Sequence, residues 1–122
     1  MLANQKLKAF VPTLDIKKAR HFYKDVLGLI LLSEDDYALE FDVNGTPLRV
    51  TAVRELQPHP FTVLGWKVVD ILSVIKTLVD KGIVFERYDF LQQDLAGIWE
   101  APGGTKVAWF KDPDGNILSL DE

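Results

Sequence analysis

Apolar residues Ile16, Ala19, Phe22, Tyr23, Val26 and Leu27 recur at steps of three and four, with polar side chains between them. That period predicts a helix from Asp15 to Gly28 with one core-facing stripe. Asp15 is placed to accept hydrogen bonds from the first free backbone N–H groups, and Gly28 to end the helix in a left-handed conformation. A second helix repeats the plan: Asp70 opens it, Ile71, Val74, Ile75, Leu78 and Val79 form its stripe, and Lys81-Gly82 closes it. Two helices of matching length, opened and closed by the same residue types, predict two copies of one module.

Strand-like text flanks each helix. Leu7 to Thr13 precedes the first helix, and Leu29 to Ser33, Tyr37 to Val43 and Pro47 to Val53 follow it, the last two joined by the hairpin dipeptide Asn44-Gly45. Thr62 to Val69 precedes the second helix, and Ile83 to Glu86, Gly97 to Ala101, Lys106 to Lys111 and Ile117 to Leu120 follow it. Pro102-Gly103-Gly104 and Asp112-Pro113-Asp114-Gly115 supply turns. The fold class is therefore α+β, with two tandem strand-helix-three-strand (βαβββ) modules at about residues 6–54 and 62–122 of a single domain. The linker, 55–61, carries two prolines around His59. Tyr88 to Leu95, of mixed polarity, reads as a loop able to act as a lid.

Composition narrows the chemistry. The 122 residues contain no cysteine and two histidines, which excludes disulfides, thiolate nucleophiles and Cys-ligated metals. No apolar run approaches the roughly 18 residues of a membrane span. No apolar segment follows the N-terminal Lys6 as in a secretory signal, so a cytoplasmic protein is expected. The formal net charge is -4, and it belongs to residues 61–122, since the first sixty residues balance. Lys17, Lys18, Arg20 and Lys24 form the one basic cluster, read as a solvated helix face. Neither a nucleic-acid partner nor a membrane is expected.

The tandem module, with Asp15 opening the first helix, Phe22-Tyr23 and Val26-Leu27-Gly28 closing it, and Asp112-Pro113-Asp114-Gly115-Asn116 near the end, resembles the vicinal oxygen chelate superfamily. That group includes glyoxalase I, extradiol dioxygenases, fosfomycin resistance enzymes and bleomycin resistance proteins. The resemblance runs from about Lys6 to Leu120. It implies that each module's sheet curls into a half-barrel with its helix outside and a small-molecule cavity inside, in a homodimer.

In metal-using members of that superfamily, one ligand comes from the first and one from the fourth strand of each module. Those positions fall here on Lys8, Arg49, Val63 and Ser119, the last where the family pattern has glutamate. A divalent cation wants neutral imidazole or anionic oxygen and would be repelled by Lys8 and Arg49. His21 falls on the polar face of the first helix and His59 in the linker. Neither a metal nor a cofactor is therefore expected.

Two inward-facing cations, Lys8 and Arg49, suit a carboxylate, phosphate or enolate oxygen of a ligand. The alternatives are pairing with Glu40 or Asp42, or extension to solvent. Phe10 shares a strand face with Lys8, and Trp109 occupies a position that lines the ligand site in related resistance proteins; both suit a flat hydrophobic wall. Trp109 as simple barrel filling is the competing reading. Trp99 stands opposite it or at a dimer contact, whereas Trp66 alternates with Leu64 and Val68 on the core face. Glu100 is a candidate general base against its reading as a solvated strand residue, and Asp112 and Asp114 read as turn-makers. The expected ligand residues are Lys8, Phe10, Arg49, Trp99, Trp109 and Ser119. The expected function is metal-independent binding of an aromatic or anionic small molecule, as in bleomycin resistance proteins. The alternatives are a lyase, isomerase or dioxygenase of the same superfamily, and an interaction module whose cavity is filled by side chains.

Overall fold

The computed structural model describes the whole chain, residues 1–122. It divides into two compact units, Met1–Gln57 and Pro58–Glu122, with the boundary inside the stretch read as a linker. No helix is long and apolar enough to cross a membrane.

In the first unit β1 (Ala9–Thr13) leads into α1 (Ile16–Arg20), followed by β2 (Ile30–Glu34), β3 (Ala38–Val43) and β4 (Thr46–Ala52). The sheet order is β1-β4-β3-β2, with β1 parallel to β4 and the other pairs antiparallel. Asp15 caps α1 by accepting from the N–H groups of Lys17 and Lys18, and Gly28 follows at φ 73. The predicted single helix changes type partway: His21–Val26 is π-helical. There the Leu27 N–H reaches the carbonyl of Phe22 at 2.9 Å, one residue further than an α-helix allows. Phe22 and Tyr23 are the buried residues of this turn. Tyr23 is fully buried and lies 6.2 Å, ring to ring, from Phe41 of β3. Val11, Leu39, Phe41, Leu48 and Val50 complete that helix-covered face. At the β3–β4 hairpin Asn44 and Gly45 have φ 49 and 90, the left-handed pair that a tight two-residue turn requires.

The second unit repeats the topology. β5 (Thr62–Lys67), α2 (Ile71–Asp80), β6 (Trp99–Glu100), β7 (Lys106–Lys111) and β8 (Ile117–Asp121) form a sheet of order β5-β8-β7-β6. Asp70 caps α2 through the Ser73 N–H, and Ile71, Ile75 and Leu78 are buried. Ala108, Phe110, Leu118 and Leu120 supply the buried face of the sheet. Three strand predictions need correction. In the first unit β1 begins at Ala9, so Leu7 and Lys8 precede the strand expected to contain them. Ile83 to Glu86 is not a strand: its tie to the sheet is the Glu86 N–H on the Trp109 carbonyl at 2.8 Å, and Phe85 is held by its ring, 5.4 Å from Phe110. β6 is shorter than predicted because Gly97 takes φ 95 and Pro102 follows, leaving little extended backbone to pair.

The segment read as a lid is stitched down. The Gln93 side chain donates to the carbonyls of Glu86 and Gly97 and accepts from the Tyr88 N–H. Asp94 accepts from the N–H groups of Ala96 and Ile98.

Candidate functional site

Strand alternation sends one set of side chains toward each unit's helix and the other to the opposite face. In the first unit that opposite face carries a cross-strand row: Phe10 of β1 pairs with Arg49 of β4, and Arg49 with Glu40 of β3. The Arg49 Nη1 donates to Glu40 Oε1 at 2.6 Å, and the Lys8 Nζ reaches the same oxygen at 3.5 Å. The Lys8 ammonium also lies 5.6 Å from the centre of the Phe10 ring, whose residue is 60% exposed. The Arg49 hydrogen bond, against a smaller desolvation effect and with help from Lys8, holds the Glu40 carboxyl below its ordinary 4.5.

The two cations proposed as anion receptors thus converge on one carboxylate, carried by the strand next to that of Arg49. Of the partners considered for them, Glu40 is the one engaged, while Asp42 accepts the Gly45 N–H in the hairpin.

The second unit's corresponding face is aromatic. Ser119 of β8 pairs with Gly65 of β5 on one side and with Trp109 of β7 on the other. It therefore holds the place in its sheet that Arg49 holds in the first, and Trp109 the place of Glu40. A Cβ at Gly65 would come within 2.9 Å of Ser119 Oγ, so the row is small at Gly65 and Ser119 and large at Trp109. Around Trp109 stand Trp99, 6.1 Å between ring centres, and Tyr88, edge-on at 5.5 Å; Phe90 adjoins Tyr88 at 5.6 Å. Trp66 shares its strand face with Leu64 and Val68, paired to the buried Leu120.

Each unit therefore brings its own predicted residues together: Lys8, Phe10 and Arg49 in the first, Trp99, Trp109 and Ser119 in the second. Sequence reasoning missed Tyr88 and Phe90 as members of the aromatic group. The signal was a pair of aromatics two residues apart in an otherwise polar loop.

The donor set does not suit a metal. Lys8 and Arg49 are cationic, Val63 has no donor, and Ser119 offers a neutral hydroxyl, while Glu40 is already held by both cations. His21 pairs with Asp25 at 3.1 Å on the helix surface, and His59 stacks on Phe61 at 5.0 Å. Nowhere do three His, Asp or Glu side chains converge in a way that would hold an ion.

Glu100 is exposed, on the strand face opposite Trp99, paired in register with Lys106. It lines a cavity of about 680 Å³ beside the start of α2. Three other carboxylates there are committed to backbone: Asp70 to Ser73, Glu122 to Ile71, Asp94 to its own loop. Asp112 is the turn-maker predicted, its Oδ1 accepting from the N–H groups of Asp114 and Asn116.

Comparison with known proteins supports this architecture. No curated protein matches the chain in sequence. A bleomycin-binding protein solved in complex with bleomycin superposes with a TM-score of 0.75 at 19% identity, covering 98% of this chain and 98% of that one. A lactoylglutathione lyase from Agrobacterium tumefaciens gives 0.76 at 16% identity, over 98% and 93%. A superfamily member from Sphaerobacter thermophilus DSM 20745 gives 0.76 at 22%, over 100% and 99%. At such identities the likeness establishes the fold. The sequence profile of one family spans residues 7–120, and by that match the chain belongs to the Glyoxalase/Bleomycin resistance protein/Dioxygenase superfamily.

Proposed function

We propose that this chain is a metal-independent binding protein for planar aromatic small molecules, acting as a cytoplasmic homodimer. The observation that carries the reading is the ring group Trp99, Trp109, Tyr88 and Phe90 beside the small residues Gly65 and Ser119. Flat rings gain contact area and favourable edge or offset geometry against such a surface at little entropic cost. The bleomycin-binding neighbour supports small-molecule binding as something this fold does. In the first unit Phe10 offers a second exposed ring. Because Lys8 and Arg49 are both held on Glu40, their charges already serve an internal carboxylate, and the first unit's face does not carry the anionic part of the expectation.

The test is tryptophan fluorescence titration with three naphthalene- or acridine-sized probes of different charge: 2-naphthol, 2-naphthoate and 9-aminoacridine. Saturable quenching by at least one probe is expected. Trp109→Ala should weaken it about tenfold, and Trp66→Phe should leave the affinity unchanged. Absence of saturable quenching with all three, or an unchanged affinity in Trp109→Ala, overturns the proposal. Native mass spectrometry of the same sample reads the dimer.

A further inference from the structure

A second cavity, of about 420 Å³, opens at one end of the aromatic face in the second unit, lined by Pro58, His59, Pro60, Tyr88, Lys111 and Ile117, with Gly115 at its edge. Its position follows from the strand. Lys111 is two residues beyond Trp109 on β7 and pairs in register with Ile117, itself two residues before Ser119. All four therefore share one face. Tyr88 joins the two regions, standing edge-on to Trp109 while also lining the cavity.

The walls meet at close range. Gly115, at φ 86, lies so close to Pro58 that a Cβ there would sit 3.2 Å from its Cγ. Pro58, His59 and Pro60 are exposed to solvent on their other side, and the His59 imidazole stacks on the exposed Phe61 ring, 9° from parallel. Glu86 holds the Lys111 ammonium at 3.3 Å. An ammonium has three N–H donors, so this contact leaves Lys111 able to make others.

The polar side chains facing this space are a lysine, a histidine and a tyrosine; no carboxylate or side-chain amide lines it. The lysine offers donors alone, and the histidine and tyrosine can each present one N–H or O–H donor beside it. Burial, reinforced by the charge of Glu86 and only partly opposed by Lys111, pushes the Tyr88 phenol above its ordinary 10.0, which keeps it an O–H donor.

We propose that this cavity is an anion subsite: it receives the carboxylate, sulfonate or phosphate group of an aromatic ligand whose ring lies against Trp109, with Lys111 and His59 as its principal donors. The proposal rests on the aromatic-binding reading for the ring part of the ligand, and it names that ligand's class as an aromatic anion.

The experiment compares 2-naphthoate with the neutral, nearly isosteric 2-naphthamide in the intact chain by tryptophan quenching. Alongside it, inorganic phosphate is titrated at fixed pH while the NMR signals of His59 and Lys111 are followed. Naphthoate should bind about tenfold more tightly than the amide. Lys111→Met should abolish that preference, Lys111→Arg should keep it, and Glu86→Gln, which removes a competing anion, should increase it. Equal binding of the two probes to the wild type leaves the aromatic reading standing and overturns the anion subsite. A preference unchanged in both Lys111→Met and Glu86→Gln shows that Lys111 serves only its ion pair, and overturns it too. If neither probe quenches but phosphate moves the His59 and Lys111 signals, the subsite stands and the aromatic reading falls. If phosphate also moves nothing, both fall.

Discussion

Replacing Glu40 by Gln keeps the shape of the first unit's ion network and removes its charge. Both cations meet one oxygen, Arg49 at 2.6 Å and Lys8 at 3.5 Å, with side-chain exposures of 24% for Glu40, 32% for Arg49 and 44% for Lys8. In water-like surroundings such a pair is worth about 1 kcal/mol before entropy and salt are counted, and measured exposed pairs retain about 0.2–1 kcal/mol. The short Arg49 contact belongs at the upper end of that range. The longer and more exposed Lys8 contact belongs near the bottom. Double-mutant cycles from urea unfolding should therefore give about 1 kcal/mol for Glu40→Gln with Arg49→Met and about 0.3 kcal/mol for Glu40→Gln with Lys8→Met. The pH dependence has a fixed sign. Because the folded carboxyl titrates below its ordinary 4.5, its stabilisation is complete above that value and disappears as the pH falls below it through the lower folded value. A Lys8 coupling equal to or larger than that of Arg49, or an Arg49 coupling that does not shrink as the pH is taken from 7 to about 3, refutes the reasoning.

Asp112→Ala should cost about 2–4 kcal/mol in urea unfolding, because a buried carboxylate there holds two backbone N–H groups and the Asn116 amide; a loss under about 0.5 kcal/mol would contradict that account. Gly115→Ala should lower stability by about 1–3 kcal/mol, through its positive φ and the approach of Pro58, with a matching fall in Tm by calorimetry. Nickel, zinc or manganese added to purified protein should leave the melting temperature unchanged, since a specific site would raise it; a saturable rise for any of them would show that ligands exist outside the four marked positions.

The duplicated architecture was legible because its signals are local: Asp15 and Asp70 announce their caps, Asn44-Gly45 its hairpin, and the apolar stripes their core faces. Counting along strands also placed Arg49 and Ser119 correctly as repeat equivalents, since alternation carries a face assignment over several residues. Three things were less legible. The π turn at His21–Val26 differs from an α-helix by one residue in its hydrogen-bond step, a difference that apolar periodicity does not carry. Ile83 to Glu86 has the composition of a strand, but it meets β7 through a single backbone hydrogen bond, too little for a ladder, and pairing is a tertiary event. The partner of Arg49 was one of several acids in reach until register put Glu40 directly opposite it. Tyr88 and Phe90 joined the aromatic group only because Gln93 folds their loop back on itself.

If the proposed aromatic site is used, the row Gly65, Ser119, Trp109 also bears on which ligand it takes. Where the first repeat fills the matching places with Phe10, Arg49 and Glu40, the second leaves two of its three nearly bare. Space there is set by side chains that are missing, and missing atoms are easily added. One methyl group at position 65 already presses on the Ser119 hydroxyl. Selectivity on this face can therefore shift by single substitutions that leave both cores untouched, which makes positions 65 and 119 the first to vary in any attempt to redirect binding.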